Sequence, residues 1–416
     1  MHFPRMFRIR QHFDSRCVND IKAAVLEQLS ALSWHQVQPG HSVAIAVGSR
    51  GVADLGEIVN SVVGFFKSLG AEPFIFPAMG SHGGATAEGQ VAVLAHLGVT
   101  EACVQAPIRS SMEVRRIGRT EDEIPVFVDQ YAMGADHIVV VNRIKCHTKF
   151  KASIESGLMK MMAIGMGKHK GAAHYHQAAI DYSFPKIIRD AARTVLAQTP
   201  VLCAIGIVEN GHGKTAKIAA LKPEAIESEE KKLLSLAKKL MAHLPFNEID
   251  LLIVDEIGKN ISGVGIDPNV TGRNRDLTGV FSHPARIKRI FVRDLTDQSR
   301  GNAIGVGLAD LTTQRLVEKI DYAATYKNCI TAASLEKGAV PMYFENDRRA
   351  IAVALETIGL TPPRMSRIVR IRNTLQLEIV GVSEAYGEAL GQKDEVEILT
   401  GPEPMAFDSH DNLLPL

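Results

Sequence analysis

The chain of 416 residues has almost no net charge: Lys+Arg 47 stand against Asp+Glu 46, a formal +1. Proteins that gather phosphate backbones or anionic membrane surfaces do so with basic patches or tails. Neither nucleic acid nor a membrane is therefore expected as a partner. Cysteine is scarce and scattered, at Cys17, Cys103, Cys146, Cys203 and Cys329, odd in number and without a CxxC pair. That usage excludes a disulfide framework and reads as reduced thiols in a cytoplasmic protein. No apolar run approaches the roughly eighteen residues of a membrane span. The stretch from Met1 to Cys17 is basic and lacks the apolar core of a secretion signal, so the protein is expected to be soluble. Also missing are an HExxH motif, clustered Asp/Glu beside the histidines, internal repeats and low-complexity segments.

What is present is enough apolar material, 46% of the residues against 22% charged, for sizeable cores, in a length that suits two domains. The first half alternates strand and helix. Ser42–Val47 is a continuous apolar run ending in Gly48-Ser49-Arg50-Gly51, and Ile58, Val62, Phe65, Phe66 and Leu69 then recur at helical spacing. Pro73–Pro77 is a second strand, ending in Met79-Gly80-Ser81-His82-Gly83-Gly84 before another helical stripe at Val91, Val93, Leu94 and Leu97. Further strands are expected at Ile124–Val128, His137–Ile144 and Val201–Val208, the last turning as a hairpin into Ala216–Leu221. Helices are expected from about Ser183 and from Pro223 to about His243. Uninterrupted apolar strands separated by helices imply α/β domains with mostly parallel or mixed sheets covered on both faces. Ligands of such sheets bind beyond the carboxyl ends of the strands. Arg50, His82 and His147 each follow a predicted strand and are expected to face one crevice.

The division expected is an N-terminal α/β domain over residues 1–245, a C-terminal α/β domain over 246–386, and a tail, 387–416, packed back on the N-terminal domain. The active site is expected in the cleft between the domains. The second domain opens with the strand Ile249–Val254. A long polar, Gly-rich loop containing Lys259 follows, then strands at Ile290–Val292 and Ile368–Ile371 and helices around 309–319 and 347–358. Loops this long are usually functional or disordered.

Reactive chemistry concentrates between Arg143 and His176. His147 follows a strand; Lys160 stands between methionines in Gly157-Leu-Met-Lys-Met-Met-Ala-Ile164; glycines at 165, 167 and 171 lead to His174-Tyr175-His176, expected as a loop. Taken singly, Lys160 fits a core-helix lysine that snorkels to water, and each histidine fits a satisfied polar residue. Together they make a site: a lysine in apolar surroundings becomes a nucleophilic amine able to carry an adduct, and neutral imidazole ligates nickel, copper or zinc. Cys146 precedes His147 on extended chain and so points to the other face.

Ser156-Gly157-Leu158-Met159-Lys160, then Gly165, then His176 resembles the signature of the nickel-pincer lactate racemase family, Ser/Thr-Gly-Gly-Arg-Lys, four residues, Gly and a downstream histidine. Ser49-Arg50 is similar to that family's Thr-Arg-Pro element. Gly80-Ser-His82-Gly-Gly-Ala-Thr86-Ala-Glu88 is similar to its Gly-x-His-Arg-x-x-Thr-x-x-Glu. Gly83 replaces the arginine, Gly51 the proline, and the final acid lies one residue nearer, departures that suggest a divergent subfamily and leave the substrate open.

The resemblance implies a cofactor, the nickel complex of pyridinium-3-thioamide-5-thiocarboxylic acid mononucleotide, joined covalently to Lys160, with His176 as nickel ligand. It also implies His82 and His147 as the proton-transferring pair, Arg50 and Lys259 on the substrate carboxylate, and loading by cofactor-biosynthesis proteins. The implied reaction racemises or epimerises a 2-hydroxy acid through a planar 2-keto acid, moving the carbon-bound hydrogen as hydride. A homo-oligomer is compatible with all of this. Two other classes stay open on the residues alone: a metal-dependent hydrolase using His82, His174 and His176, and a non-catalytic binding protein of the same fold.

Overall fold

The computed structural model describes residues 2–49, 51–276 and 281–416. Arg50 therefore lies outside the described residues. The fold is mixed α/β, in two compact units, Asp14–Met241 and a second formed by Met1–Phe13 with Ala242–Leu416. The first strand, β1 (Met6–Gln11), thus belongs to the unit built mainly from the C-terminal half.

The sheet of the Asp14–Met241 unit contains β2 (Ser42–Val47), β3 (Glu72–Pro77), β6 (His137–Arg143), β7 (Val201–Glu209) and β8 (Thr215–Leu221). Its order is β3-β2-β6-β7-β8, the first four parallel and β8 returning antiparallel through a hairpin. A separate ribbon pairs β4 (Val114–Arg119) with β5 (Pro125–Asp129). Residues alternate between two cores, as a period of two demands. Val43, Ile45, Val47, Val139 and Val141 face a cluster with the helices Ile21–Ser30 and Leu55–Ser68. Ala44, Ala46, Phe74, Phe76, Ile138 and Val140 face the other cluster, with the helices Phe184–Gln198 and Ile226–Leu240 and with Leu158, Met159, Met161 and Met162. The Lys160 segment is therefore laid across one covered face of the sheet. The chain moves outward from β2 to β3 and then returns across β2 to β6, so β2 and β6 flank the point where strand order reverses, where the carboxyl ends open a crevice.

In the other unit, β9 (Glu248–Ile257), β10 (Arg286–Leu295), β11 (Leu311–Thr313), β12 (Met342–Phe344), β13 (Ile368–Asn373), β14 (Gln376–Ser383), β1 and β15 (Val396–Glu403) form one eight-stranded sheet. Its order is β12-β11-β10-β9-β13-β14-β1-β15, parallel from β12 to β13 and antiparallel beyond. The tail expected on the N-terminal domain instead contributes β15, which pairs with β1 here. A shared backbone ladder, with only Ile9 and Gln11 of β1 buried, leaves little apolar signal in either strand.

Candidate active site

The site is assembled from loops that follow β2, β3 and β6. After β6, Lys145 and Ser156 pair through their backbones, N–H to O at 2.8 and 3.2 Å, and close the loop between them. Glu155 sits fully buried inside it. One of its carboxylate oxygens accepts the His147 N–H at 2.7 Å; the other accepts the Ala152 N–H at 3.1 Å and lies 2.6 Å from the Lys238 ammonium. The buried carboxylate thereby fixes the backbone on which His147 stands.

The His147 ring, buried, stacks on Phe150 at 4.1 Å between centroids and faces Phe184 at 6.0 Å. Its Nδ1 accepts the Lys149 N–H at 3.1 Å, which places the proton of the neutral ring on Nε2. Burial, then the charges of Lys160 and Lys149, hold the imidazole well below its ordinary pKa. His147 is neutral at physiological pH.

His174 and His176 do not lie in a loop, as expected, but on the helix Lys168–Ala178. Two residues along a helix turn about 200°, so the two rings point apart. His174 is exposed and stacks on Phe127 at 5.5 Å. His176 is half-buried against Phe184 at 5.1 Å. Burial first, with the Lys149 and Lys160 charges adding, lowers its pKa to about 4. Phe184 is a shared wall, and Lys160 acts on both His147 and His176. The structure thus brings His147, Lys160 and His176 together.

Lys160 ends the short helical turn Leu158–Lys160 and opens a π-helical turn, Met161–Gly165, a local form that recurs at functional sites. Its backbone is pinned from two sides: Asn142 donates to the Gly157 carbonyl at 2.8 Å, and the buried Glu230 carboxylate accepts the Met159 N–H at 2.8 Å. A Cβ at Gly157 would overlap that carboxylate, and one at Gly165 would stand 2.5 Å from the Ala78 carbonyl oxygen. The glycines of this stretch let backbone approach backbone.

His82 is exposed at the head of the loop after β3, and its Nδ1 is hydrogen-bonded to Ser49 Oγ of the loop after β2. The same loop is sewn to the Lys160 segment, since Gly80 N–H donates to Gly165 O at 3.2 Å. Lys259 lies in the other unit, just after β9, and donates to Gly263 O at 2.7 Å and Asn328 Oδ1 at 2.8 Å. Its ammonium is held by its own loop and a neighbouring helix. Among the described residues no group of three or more His, Cys, Asp or Glu side chains is arranged to hold a metal ion. His82, His174 and His176 therefore do not form the simple metal site that a hydrolase would use.

Three residues that shape the site were not singled out in the sequence. Glu230 had a readable signal, because Ile226, Glu230, Leu233, Leu234 and Ala237 form one buried helical stripe. Glu155 had none beyond being an acid in a Lys- and Ser-containing loop. Phe184 reads as a helix N-terminal core residue, which it also is.

Compared with known proteins, residues 55–255 match the family described as a domain of unknown function, DUF362. No curated protein matches the chain. A Thermotoga maritima protein solved by a structural genomics consortium is similar in structure, with 12% identity, 86% of this chain and 96% of that chain covered, and a TM-score of 0.53. The lactate racemase apoprotein from Thermoanaerobacterium thermosaccharolyticum aligns with 14% identity over 93% of this chain and 92% of its own, at a TM-score of 0.47. At these identities the likeness to the Thermotoga protein is one of fold. No helix among the described residues is long and apolar enough to cross a membrane.

Proposed function

We propose that the chain is a racemase or epimerase of a 2-hydroxy acid that carries a nickel-pincer nucleotide on Lys160. The observation that carries the reading is that His147 and His176 share one aromatic wall, Phe184, where burial and the Lys160 charge keep both imidazoles neutral. The donor set fits such a group. His176 keeps its lone pair down to about pH 4 and so can ligate a metal at neutral pH. Since the described residues offer no further cluster of metal donors, a metal at His176 draws its other donors from a bound group. Lys160 is half-buried among buried methionines, which would shelter a link formed at its amine. When bound, the nucleotide would supply an acceptor for the carbon-bound hydrogen as hydride, avoiding a carbanion that a carboxylate stabilises poorly.

The chain's own residues handle the hydroxyl proton and the carboxylate. In the tautomer whose Nδ1–H donates to Ser49 Oγ, His82 presents the Nε2 lone pair to the substrate hydroxyl and takes its proton. His147, with its proton on Nε2, donates to the same oxygen from another loop and steadies it as it becomes the keto oxygen. A base role at His147 requires release of the Lys149 N–H and exchange of the ring proton to Nδ1. Arg50 is assigned to the substrate carboxylate, which a guanidinium grips with two parallel hydrogen bonds.

The decisive experiment is co-expression with the cofactor's biosynthetic enzymes, followed by intact mass and peptide mapping. A mass increase on the Lys160 peptide, absent in Lys160→Ala, and inversion of at least one acid in a panel of enantiopure 2-hydroxy acids are expected. An unmodified Lys160 under conditions that load a known lactate racemase, or full retention of configuration across the panel by loaded protein, refutes the proposal.

A further inference from the structure

Lys168, the first residue of the helix that carries His176, has no exposed surface. It also has φ of 52°, a backbone conformation that side chains other than glycine adopt only against steric resistance. Its ammonium donates to Gln90 Oε1 at 2.9 Å and to the carbonyl of Pro77, the last residue of β3, and forms an ion pair with Asp129 Oδ2 at 3.2 Å. Gln90, likewise without exposed surface, uses its other end on the loop after β3: its amide nitrogen donates to Gly80 O at 2.9 Å and to His82 O at 3.3 Å.

We infer that Lys168 and Gln90 form a relay that positions His82, so that the segment running from Lys160 to His176 also templates the loop that presents the opposing histidine. The inference rests on the proposed function only for what His82 does, not for the relay itself. Its physical basis is polarisation: a cation on the amide oxygen strengthens both N–H donors, and those donors have no alternative use. The same segment contributes Gly165 O to the Gly80 N–H. Gln90 and residues 165–168 thus hold Pro77, Gly80 and the His82 carbonyl from outside the loop. Burial disfavours charge on both Lys168 and Asp129, and their mutual attraction together with the two carbonyl-type acceptors offsets it. A helix that needed only a start would not carry a buried lysine in a left-handed conformation; the side chain is kept for what it holds.

The test is Gln90→Met in the full chain, which keeps length and burial, removes both donors, and leaves Lys168 on Asp129 and Pro77. In apoprotein, amide exchange in peptides spanning Gly80 to Ala85 is expected to speed by about tenfold or more, with peptides over Lys160 to Gly165 unchanged. In loaded protein, kcat is expected to fall about 10- to 100-fold with KM within about twofold, as displacement of an acid–base group requires. Unchanged exchange at Gly80 to Ala85 overturns the relay. Faster exchange with unchanged kcat overturns its role in positioning His82. If unmutated loaded protein inverts no 2-hydroxy acid, the racemase reading fails by itself, and the exchange measurement still decides whether Gln90 fixes the loop.

Discussion

Glu230 gives the most exacting test of how the Lys160 segment is held. Its carboxyl has no exposed surface; Oε2 accepts the Met159 N–H, and among the described residues Oε1 has no hydrogen-bond partner. Burial raises its pKa to about 7, opposed by the Met159 and Leu158 N–H groups and reinforced by the nearby Glu227 carboxylate. The folded state therefore holds this proton more tightly than the unfolded chain, whose carboxyl titrates near 4.5. Between those values stability falls as pH rises, and above about pH 7 the penalty is complete. At 1.36 kcal/mol per pKa unit the penalty is about 3 kcal/mol. Glu230→Gln removes the charge and retains an acceptor for the Met159 N–H. It also introduces pH-independent costs, such as a buried amide N–H without a partner, worth about 1–3 kcal/mol. The informative quantity is therefore the change in ΔΔG between pH 5 and pH 9, in which those costs cancel. Trp34, the single tryptophan of the chain, packs edge-on against Phe65 and Phe66 within the same unit and reports its unfolding. Urea titrations followed by its fluorescence should show the variant gaining about 2–3 kcal/mol on the wild type from pH 5 to pH 9. A pH-independent ΔΔG, or a swing in the opposite direction, would refute the buried-carboxylate reasoning.

Other expectations follow from the same geometry. Nickel retained by loaded protein should be lost in His176→Ala and kept in His174→Ala, measured by elemental analysis; the reverse pattern would make His174 the ligand. The His176 ring should titrate near pH 4 in an NMR pH series. Because that value lies below the unfolded 6.5, its contribution to stability is full above about pH 6.5 and declines as pH falls toward 4; a midpoint near 6.5 would show the ring to be solvated. Lys168→Met leaves Asp129 buried without its cation and should cost about 3–5 kcal/mol by Trp34-monitored urea unfolding, and a loss under about 1 kcal/mol would show the pair to be dispensable.

Much of the fold was legible because its strands are buried on both faces. Val43–Val47 and Ile138–Val141 are apolar without interruption and have essentially no exposed surface, so their type and order follow from composition alone. What escaped was structure held by backbone pairing rather than by apolar pattern. In β1, Arg8 and Arg10 alternate with Ile9 and Gln11, and a charged alternation carries no strand signal until its partners β14 and β15 are known. Those partners lie hundreds of residues away, and nothing local announces them. The sequence also leaves no trace of the ribbon strand β4, whose six residues include no fully buried side chain.

The candidate site divides along a similar line. His147, Lys160 and His176 were legible as chemistry because reactive side chains are rare in apolar and glycine-rich surroundings. Their directions are not legible, because the sequence suggests a loop where His174 and His176 lie on a helix. Glycine at 167 and 171 suggests irregular chain, yet Gly171 sits buried inside the helix, where a Cβ would make only ordinary contact with the Tyr175 ring at 3.5 Å, so it marks no turn. Once the segment is helical, spacing alone selects between the two histidines. His176 lies on the side of Phe184 and within reach of the Lys160 charge, and His174, about 200° away, lies on Phe127. Under the proposed function, helical phase would set the choice of ligand, while burial keeps the His176 ring neutral. Substitutions that expose the His176 ring without touching it, such as Phe184→Ala, should raise its titration midpoint toward 6.5, and an unchanged midpoint would mean that Phe184 is not what excludes water from that face.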